Sequence, residues 1–328
     1  VYITHAMASD MSEQIKQTIT IPTDHAGLRL DRSLAMLLPE YSRSKIQSWI
    51  TQQLVTVDGE FQVSRYSVAG GELIILNPVE EDQNTQHDAE NIPIDIIFED
   101  DHLMVINKPV GLVVHPGAGN HNGTLMNALL HYSEKQSLLP RAGIVHRLDK
   151  DTSGVMVVAK SLVAHTALTN MLQERLVERR YYAVVRGHMI SGGTIDEPIG
   201  RHPHDRIKMA ISEKGKPATT HYKVVEKFKR HTWVEAKLET GRTHQIRVHL
   251  AAKKHPLIGD SVYAPRQQRV ANVPQELNDC LCSFPRQALH AFELAFEHPV
   301  SNEMMKWNAE LPDDMRGLLD TLREHSPL

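Results

Sequence analysis

Between two apolar pieces, Ile144-Val145 and Val155 to Ala159, the chain carries His146, Arg147, Asp149, Lys150 and Asp151. β-Branched runs read as buried strands, so the turn between them projects its charged groups from a rigid base. Asp149 is the group of interest. A carboxylate beside a hydrophobic run, with only Leu148 between it and Arg147, can serve as a nucleophile if something holds it charged and oriented. Left alone in a buried site it would raise its pKa and protonate, and a close guanidinium prevents that. Glu239 to His249 (ETGRTHQIRVH) offers three candidates for that partner, Arg242, His244 and Arg247. Residue type alone does not separate them. Thr152-Ser153-Gly154, just after the acidic pair, reads as a sharp bend.

The elements around these groups follow from periodicity. Ile94 to Phe98 and Leu103 to Asn107 are apolar runs separated by Glu99-Asp100-Asp101, a strand pair. Thr124 can cap a helix that buries Leu125, Ala128 and Leu129. Ser161 to Val177 reads as a helix with Leu162, His165, Leu168, Met171 or Leu172, and Leu176 near one face. Arg179 to Val185 reads as a strand containing Tyr181 and Tyr182. Farther upstream, Leu30, Leu34, Leu37 and Leu38 form one apolar helical face that Pro39 closes. Ser42 can cap a second helix with Ile46, Trp49, Ile50 and Leu54 inward. Val55-Thr56-Val57 then runs into Asp58-Gly59, a hairpin signal, and Leu73 to Leu76 adds a strand.

A chain of 328 residues has room for two domains, and its 41% apolar and 23% charged residues are ordinary for a soluble protein. No apolar run is long enough to span a bilayer and no signal-peptide pattern is present, so the expected location is the cytosol. Cys280 and Cys282 make neither a disulfide framework nor a zinc cluster. The net charge of −4 hides a separation. Pro78 to Asp101 has nine acidic residues and no Lys or Arg, whereas Arg201 to His231 has nine Lys or Arg against three acidic residues. The second stretch suits a phosphate-binding surface as well as it suits a solvated face. Pro78 to Asn91, acidic and without periodicity, reads as a linker. The first ten residues, before Met11, read as an expression remnant.

The string HRLDKDTSG, nine consecutive residues, resembles the signature of the RluA family of pseudouridine synthases, in which the Asp of HRLD is the catalytic nucleophile. NKPVGLVVHPG, the R-x-Y-x-A-x-x-x-G pattern from Arg179 to Gly187, GKPA from Gly215, HQIR, HPLIGD and RQALH continue the family's pattern. The resemblance implies that Asp149 is the nucleophile, that Tyr181 and not Tyr182 lies over the target base, and that Arg247 pairs with Asp149. It adds Arg147 and His146 as substrate contacts and Leu257 as a pocket residue. LDRSLAMLLPEYSRSKIQSWI followed by VTVDG resembles an S4 RNA-binding module, with Arg32, Arg43 and Lys45 outside the apolar faces where they can meet phosphates. The implied fold is α+β. A mixed, largely antiparallel sheet with peripheral helices and a cleft across its middle forms the catalytic domain (92–328), after an S4-like α/β domain (28–78) and a linker (79–91). Residues 1–27 are read as a disordered or expression-derived N-terminus.

The implied reaction breaks the N1–C1′ bond of uridine, turns the base and reconnects C5 to the ribose. It needs neither redox change nor phosphoryl transfer, so the expectation is no cofactor and no metal. The carboxylate can attack C1′ or C6, or a glycal path can operate. Within the family the details look most like members acting on a stem-loop of large-subunit (23S) ribosomal RNA, helix 69. The expected partner is that RNA or an assembling ribosomal subunit, met by a monomer. Other rRNA or tRNA uridines are the near alternative, and a noncatalytic RNA-binding assembly factor the distant one. Twenty histidines invite a metal, and His202-x-His204 or His244 with His249 are the pairs to consider. Without a Cys or carboxylate cluster at ligand spacing they read as ordinary. The H-x-E and P-C-x-x-C pair of zinc deaminases is missing, and Ser153 lacks a G-x-S-x-G setting.

Overall fold

The computed structural model describes residues 17–38, 43–76, 88–117, 119–205, 207–264 and 270–328. They form two compact units, Val1–Gln86 and His87–Leu328.

The first unit is a four-stranded antiparallel sheet covered by two helices. Its elements are β1 (Gln17–Thr20), α1 (Leu30–Leu37), α2 (Arg43–Thr51), β2 (Val55–Val57), β3 (Glu60–Phe61) and β4 (Leu73–Leu76), with strand order β1-β4-β2-β3. Leu30, Leu34, Ile46, Trp49 and Ile50 are buried against Val55, Val57, Ile74 and Leu76. Asp58 and Gly59 both take positive φ, 50° and 87°, and so make the tight turn between β2 and β3. One expectation is corrected. Residues 17–20, read as part of a disordered N-terminus, pair with β4 from Gln17–Leu76 to Thr20–Leu73. Four residues with one aliphatic side chain have little strand signal of their own, and only the partner strand orders them. The proposed helix stop Pro39 and cap Ser42 lie outside the described residues.

The second unit is built on a nine-stranded sheet. Its strands are β5 (Ile96–Glu99), β6 (Leu103–Lys108), β7 (Ser153–Ala159), β8 (Glu178–Arg186), β9 (Gly193–Asp196), β12 (Thr219–Lys227), β13 (His231–Leu238), β14 (Leu289–Glu297) and β15 (Met304–Asn308). The order is β5-β6-β7-β14-β8-β13-β12-β9, with β15 on β14, and β10 (Ile199–Arg201) pairs β11 (Met209–Ile211) separately. Pairing between these strands is antiparallel except between β7 and β14. One face carries the core that holds Met156, Tyr181, Ala183, Val234 and Leu289 together with α3 (Leu125–Tyr132). The other packs Val155, Val157 and Phe296 against α4 (Leu162–Gln173). α5 (Gln245–Ala252) buries Ile246 and Leu250 in the first core, and α6 (Gln275–Ser283) meets α7 (Asp313–His325).

The Thr124 cap behaves as read. Thr124 and Asn127 form a reciprocal capping box on α3, and Ser161 Oγ accepts from Ala164 N–H on α4. The face of α4 is narrower than its periodicity suggests. Ala164 and Leu168 are buried, whereas Leu162 and Leu176 are exposed, and Leu176 lies beyond the end of the helix. The expected bend at Thr152-Ser153-Gly154 is also corrected, because Ser153 and Gly154 already belong to β7. Gly154 has φ +116°, and a Cβ there would stand 2.0 Å from the Ala291 carbonyl oxygen. The glycine serves the close approach of β14. Among the described residues no helix is long and apolar enough to cross a membrane.

Candidate active site

Asp149 sits in a short loop immediately before β7, and the loop is held from two sides. Lys108, at the end of β6, is fully buried, and its ammonium donates to the carbonyls of Pro109, Leu112 and Lys150 at 2.7, 2.9 and 3.0 Å. Three carbonyls satisfy the three donors of an ammonium group. Burial lowers its pKa to about 7 while Asp151 and Asp149 pull it up. From the other side Arg286 Nη1 donates to the carbonyls of Asp151, Gln287 and Leu289, with its Nε and Nη2 on Asp314 of α7. Thr152 N–H donates to the Asp149 carbonyl at 3.1 Å and closes the turn.

Opposite this loop, the chain enters α5 through His244, whose φ of 57° and ψ of 20° place it in the left-handed region. Gln245 fixes that entry. It is buried, its Oε1 accepts from Thr240 Oγ1 and Arg242 N–H, and its Nε2 donates to the Thr219 carbonyl and Thr220 Oγ1. Arg247 then lies one turn into the helix, and its Nη1 donates to Asp149 Oδ2 at 2.9 Å. Its Nε and Nη2 are taken by Asp260 at 2.7 and 3.0 Å. Burial alone would lower the Arg247 pKa, and the bonds and charges of Asp260 and Asp149 raise it instead. Asp260 is pushed up by burial, an effect that Arg247 more than offsets.

The three cations left open by residue type therefore part company. Arg247 touches Asp149, His244 Nε2 stands 3.9 Å from Asp149 Oδ1, and Arg242 Nε donates to the Pro217 carbonyl. His244 Nδ1 is 2.7 Å from the Tyr263 hydroxyl, which accepts from Met209 N–H. That contact holds the ring so that Nε2 faces Asp149. Burial lowers the His244 pKa, partly countered by Asp149. Arg247 also lies over the Tyr263 ring, 5.1 Å from its centroid.

Asp149, Arg147, Tyr181, Arg179, His244 and Arg247 line one open cleft of about 560 Å³. Alternation along β8 separates the tyrosines. Tyr181 is buried on the cleft side, whereas Tyr182 stacks on Phe292 at 3.8 Å between centroids, on the opposite face. Burial pushes the Tyr181 phenol up, opposed by Arg179 and reinforced by Asp149. Arg147 is exposed at the rim. His146 lines the cleft, but its Nε2 accepts from Val157 N–H at 3.1 Å, and burial with the nearby Arg179 holds its pKa at about 3. Leu257 departs from expectation. It is fully buried in the main core, bridges to Val185, and is not part of the cleft wall.

In the first unit Arg32 is exposed, whereas Arg43 is tied to the buried Asp31 at 2.9 Å, with Arg29 on the same carboxylate at 3.0 Å. The side chain of Lys45 lies outside what is described. Three of the histidines weighed as ligands, His202, His244 and His249, are bonded to other groups. His202 Nδ1 accepts from two backbone N–H groups, and both ring nitrogens of His249 are bonded, to Thr220 and to the Glu197 carbonyl. Sequence reasoning missed Lys108, Arg179, Tyr263 and the holding roles of Gln245 and Asp260. Lys108, Arg179, Gln245 and Asp260 do lie within the quoted strings, and that was their signal.

Comparison with known proteins decides the class. The family model described as RNA pseudouridylate synthase matches residues 102–252, and an S4 domain matches residues 28–61. The chain is 49% identical to "Ribosomal large subunit pseudouridine synthase D" of Salmonella typhimurium, over 95% of its own length and 96% of that protein. The chain belongs to the RluA family of pseudouridine synthases. The protein of the same name from Nitrosomonas europaea is 50% identical over 95% of the chain and 90% of that protein. Among solved structures, Human RNA Pseudouridylate Synthase Domain Containing 4 superposes with a TM-score of 0.54 at 27% identity, covering 70% of this chain and 93% of that one. The domain-containing 1 protein gives 0.54 at 28%, with 73% and 90% covered. As a family member this chain is an RNA pseudouridine synthase, with the α+β architecture and S4 domain of that class.

Proposed function

We propose that the enzyme isomerises uridine to pseudouridine in large-subunit ribosomal RNA, at the helix 69 stem-loop, with Asp149 as the nucleophile. The observation that carries this reading is the 2.9 Å contact of Arg247 with Asp149 in the cleft that Tyr181 lines. The RNA target draws its support from the names of relatives about half identical along nearly the whole chain. The target uridine leaves its stack to reach Asp149, Tyr181 takes the extruded base, and Arg147 at the rim occupies the vacated space. Attack at C1′ or C6, or removal of a ribose proton on a glycal path, each begins from the carboxylate that Arg247 holds.

The first unit, β1 included, with Arg32 and Arg43 toward phosphates, serves as the RNA-binding domain of a cytosolic monomer. Of the linker read at 79–91, residues 79–87 lie outside the described residues, and Asp88 and Glu90 already bond to Asn127 and Gly123 of the second unit. Neither metal nor cofactor enters the scheme, because the isomerisation has no redox or phosphoryl step.

The test uses large-subunit rRNA transcribed with tritium at C5 of uridine, since isomerisation releases that tritium to water. Release by the wild-type chain and none by Asp149→Asn, with RNA affinity kept, is the expected result. Binding without release, on free and on assembled RNA, would overturn it.

A further inference from the structure

Arg179 carries a charge that its surroundings leave unneutralised. It lies on β8 two residues before Tyr181, so both side chains leave the same face of the sheet, and both line the cleft. It is only 6% exposed. Among the described residues its one hydrogen bond runs from Nη2 to the Glu239 carbonyl at 3.2 Å, and its Nε is buried with no partner. A guanidinium presents five N–H donors. The contrast is Arg180, on the other face, which meets Glu178, Glu235 and Glu293 at 3.1, 3.3 and 3.2 Å. No carboxylate pairs with Arg179 among the described residues. Room is kept for it. A Cβ on Gly241 would stand 2.7 Å from Arg179 Nη1, so a side chain at that position would displace the guanidinium. Burial lowers the Arg179 pKa, the Tyr181 phenol raises it, and Arg242 adds repulsion. A buried cation without a counter-charge is costly, and a site that keeps one has a use for an anion that arrives with the substrate.

We infer that Arg179 is a catalytic residue that holds, through a ring carbonyl oxygen, the negative charge the uracil acquires during isomerisation. The inference rests on the proposed function. When the N1–C1′ bond breaks, its electron pair stays on the base, and the charge spreads from N1 to O2, O4 and C5. The C5 pair then forms the new bond to C1′. The C5 proton is lost to water and N1 takes one up, so the balance closes without a co-reactant. Addition of Asp149 at C6 would place negative charge on O4 as well, so the role holds on each path. A preformed donor in a cleft is worth most where charge develops. The solvent-facing Arg147 is suited to a phosphate, whereas a guanidinium 6% exposed and beside Tyr181 suits the flat edge of a base.

The experiment compares wild type, Arg179→Gln and Arg179→Lys under single turnover on the C5-tritiated rRNA transcript, with filter-binding affinity and thermal midpoint on the same preparations. Losing one such donor should slow tritium release from saturating RNA by about 10²-fold or more. RNA affinity should stay within a factor of a few, and Arg179→Lys should recover part of the rate. Unchanged release, or weaker binding with an unchanged saturated rate, would overturn the assignment, the second outcome making a backbone phosphate the ligand. A lowered midpoint with an unchanged rate would reduce Arg179 to a brace. If the Gln variant does not fold, Arg179→Lys decides alone: a slowed rate at unchanged affinity supports the role, and a full rate refutes it. Wild-type protein that releases no tritium would instead defeat the proposed function itself.

Discussion

Asp260 grips Arg247 by Nε and Nη2 and leaves Nη1 for Asp149, so the carboxylate on one side of the guanidinium aims the other side at the reacting loop. Asp260 is 1% exposed at its side chain and also accepts from Val262 and Tyr263 N–H, which fixes its own position. Asp260→Ala leaves a buried cation half paired and should cost about 3–5 kcal/mol in chemical denaturation. Asp260→Asn keeps the shape. It should fold, bind RNA normally and release tritium more slowly, and a rate equal to wild type would show that Arg247 needs no such aim.

Lys108 sets the loop from below by its three carbonyl bonds. Lys108→Met removes them together, and among the described residues only the Lys150 carbonyl keeps another donor, the Gly111 N–H at 2.9 Å. An acceptor left without its donor costs about 1–3 kcal/mol, so a drop in the thermal midpoint is expected. The folded fraction should bind RNA and turn over slowly, because Asp149 loses its support while the RNA-contacting surfaces do not change. Circular dichroism melts and single-turnover rates on one preparation separate the two effects.

The two tyrosines of β8 should fail differently. Tyr181→Ala empties the cleft wall and a place in the core, and should abolish release as well as lower stability by about 3–5 kcal/mol. Tyr182→Ala breaks the stack on Phe292 and the contact with Trp233 at 5.0 Å. It should lower stability by roughly 1–3 kcal/mol and leave the single-turnover rate of folded enzyme unchanged. The opposite pattern would mean that Tyr182, and not Tyr181, meets the base.

Acid should weaken the fold through buried neutral histidines. Burial holds His146 at about 3 and His231 and His290 at about 4, against 6.5 in the unfolded chain. Below about pH 6.5 the unfolded state takes up protons that the folded state refuses. Stability is therefore fully present above pH 6.5 and falls as the pH drops toward 4. Each group contributes at most about 1.4 kcal/mol per pH unit. His231→Gln should flatten the slope of denaturant stability against pH between 6 and 4, and an unaltered slope would show that His231 is not held neutral.

In the first unit Arg32 is exposed, whereas Arg29 and Arg43 share the fully buried Asp31. Arg32→Ala should weaken RNA binding evenly across sequences and lower the salt slope by about 1. Arg43→Ala should do the same and also reduce stability, since Asp31 loses one of its two cations. Filter binding at several salt concentrations, paired with melts, tests both.

What the sequence determined by itself was the local chemistry. Strings such as HRLDKDTSG and HQIR bring fixed residue types to fixed separations, and the alternation of β8 puts Tyr181 and Tyr182 on opposite faces without any tertiary information. The cap at Thr124 and the Asp58-Gly59 turn were legible for the same reason, since each depends on neighbours within a few residues. Residue type left Arg242, His244 and Arg247 open and only the resemblance singled out Arg247; the tertiary structure supplies the physical reason, because Arg247 lies 98 positions away and its direction is set by Gln245 and Asp260. It also removed Leu257 from the cleft, ordered Gln17–Thr20 and left Arg179 without a counter-ion. Each of these depends on what packs from distant parts of the chain, and pairing, burial and desolvation are properties of that packing that no local window contains.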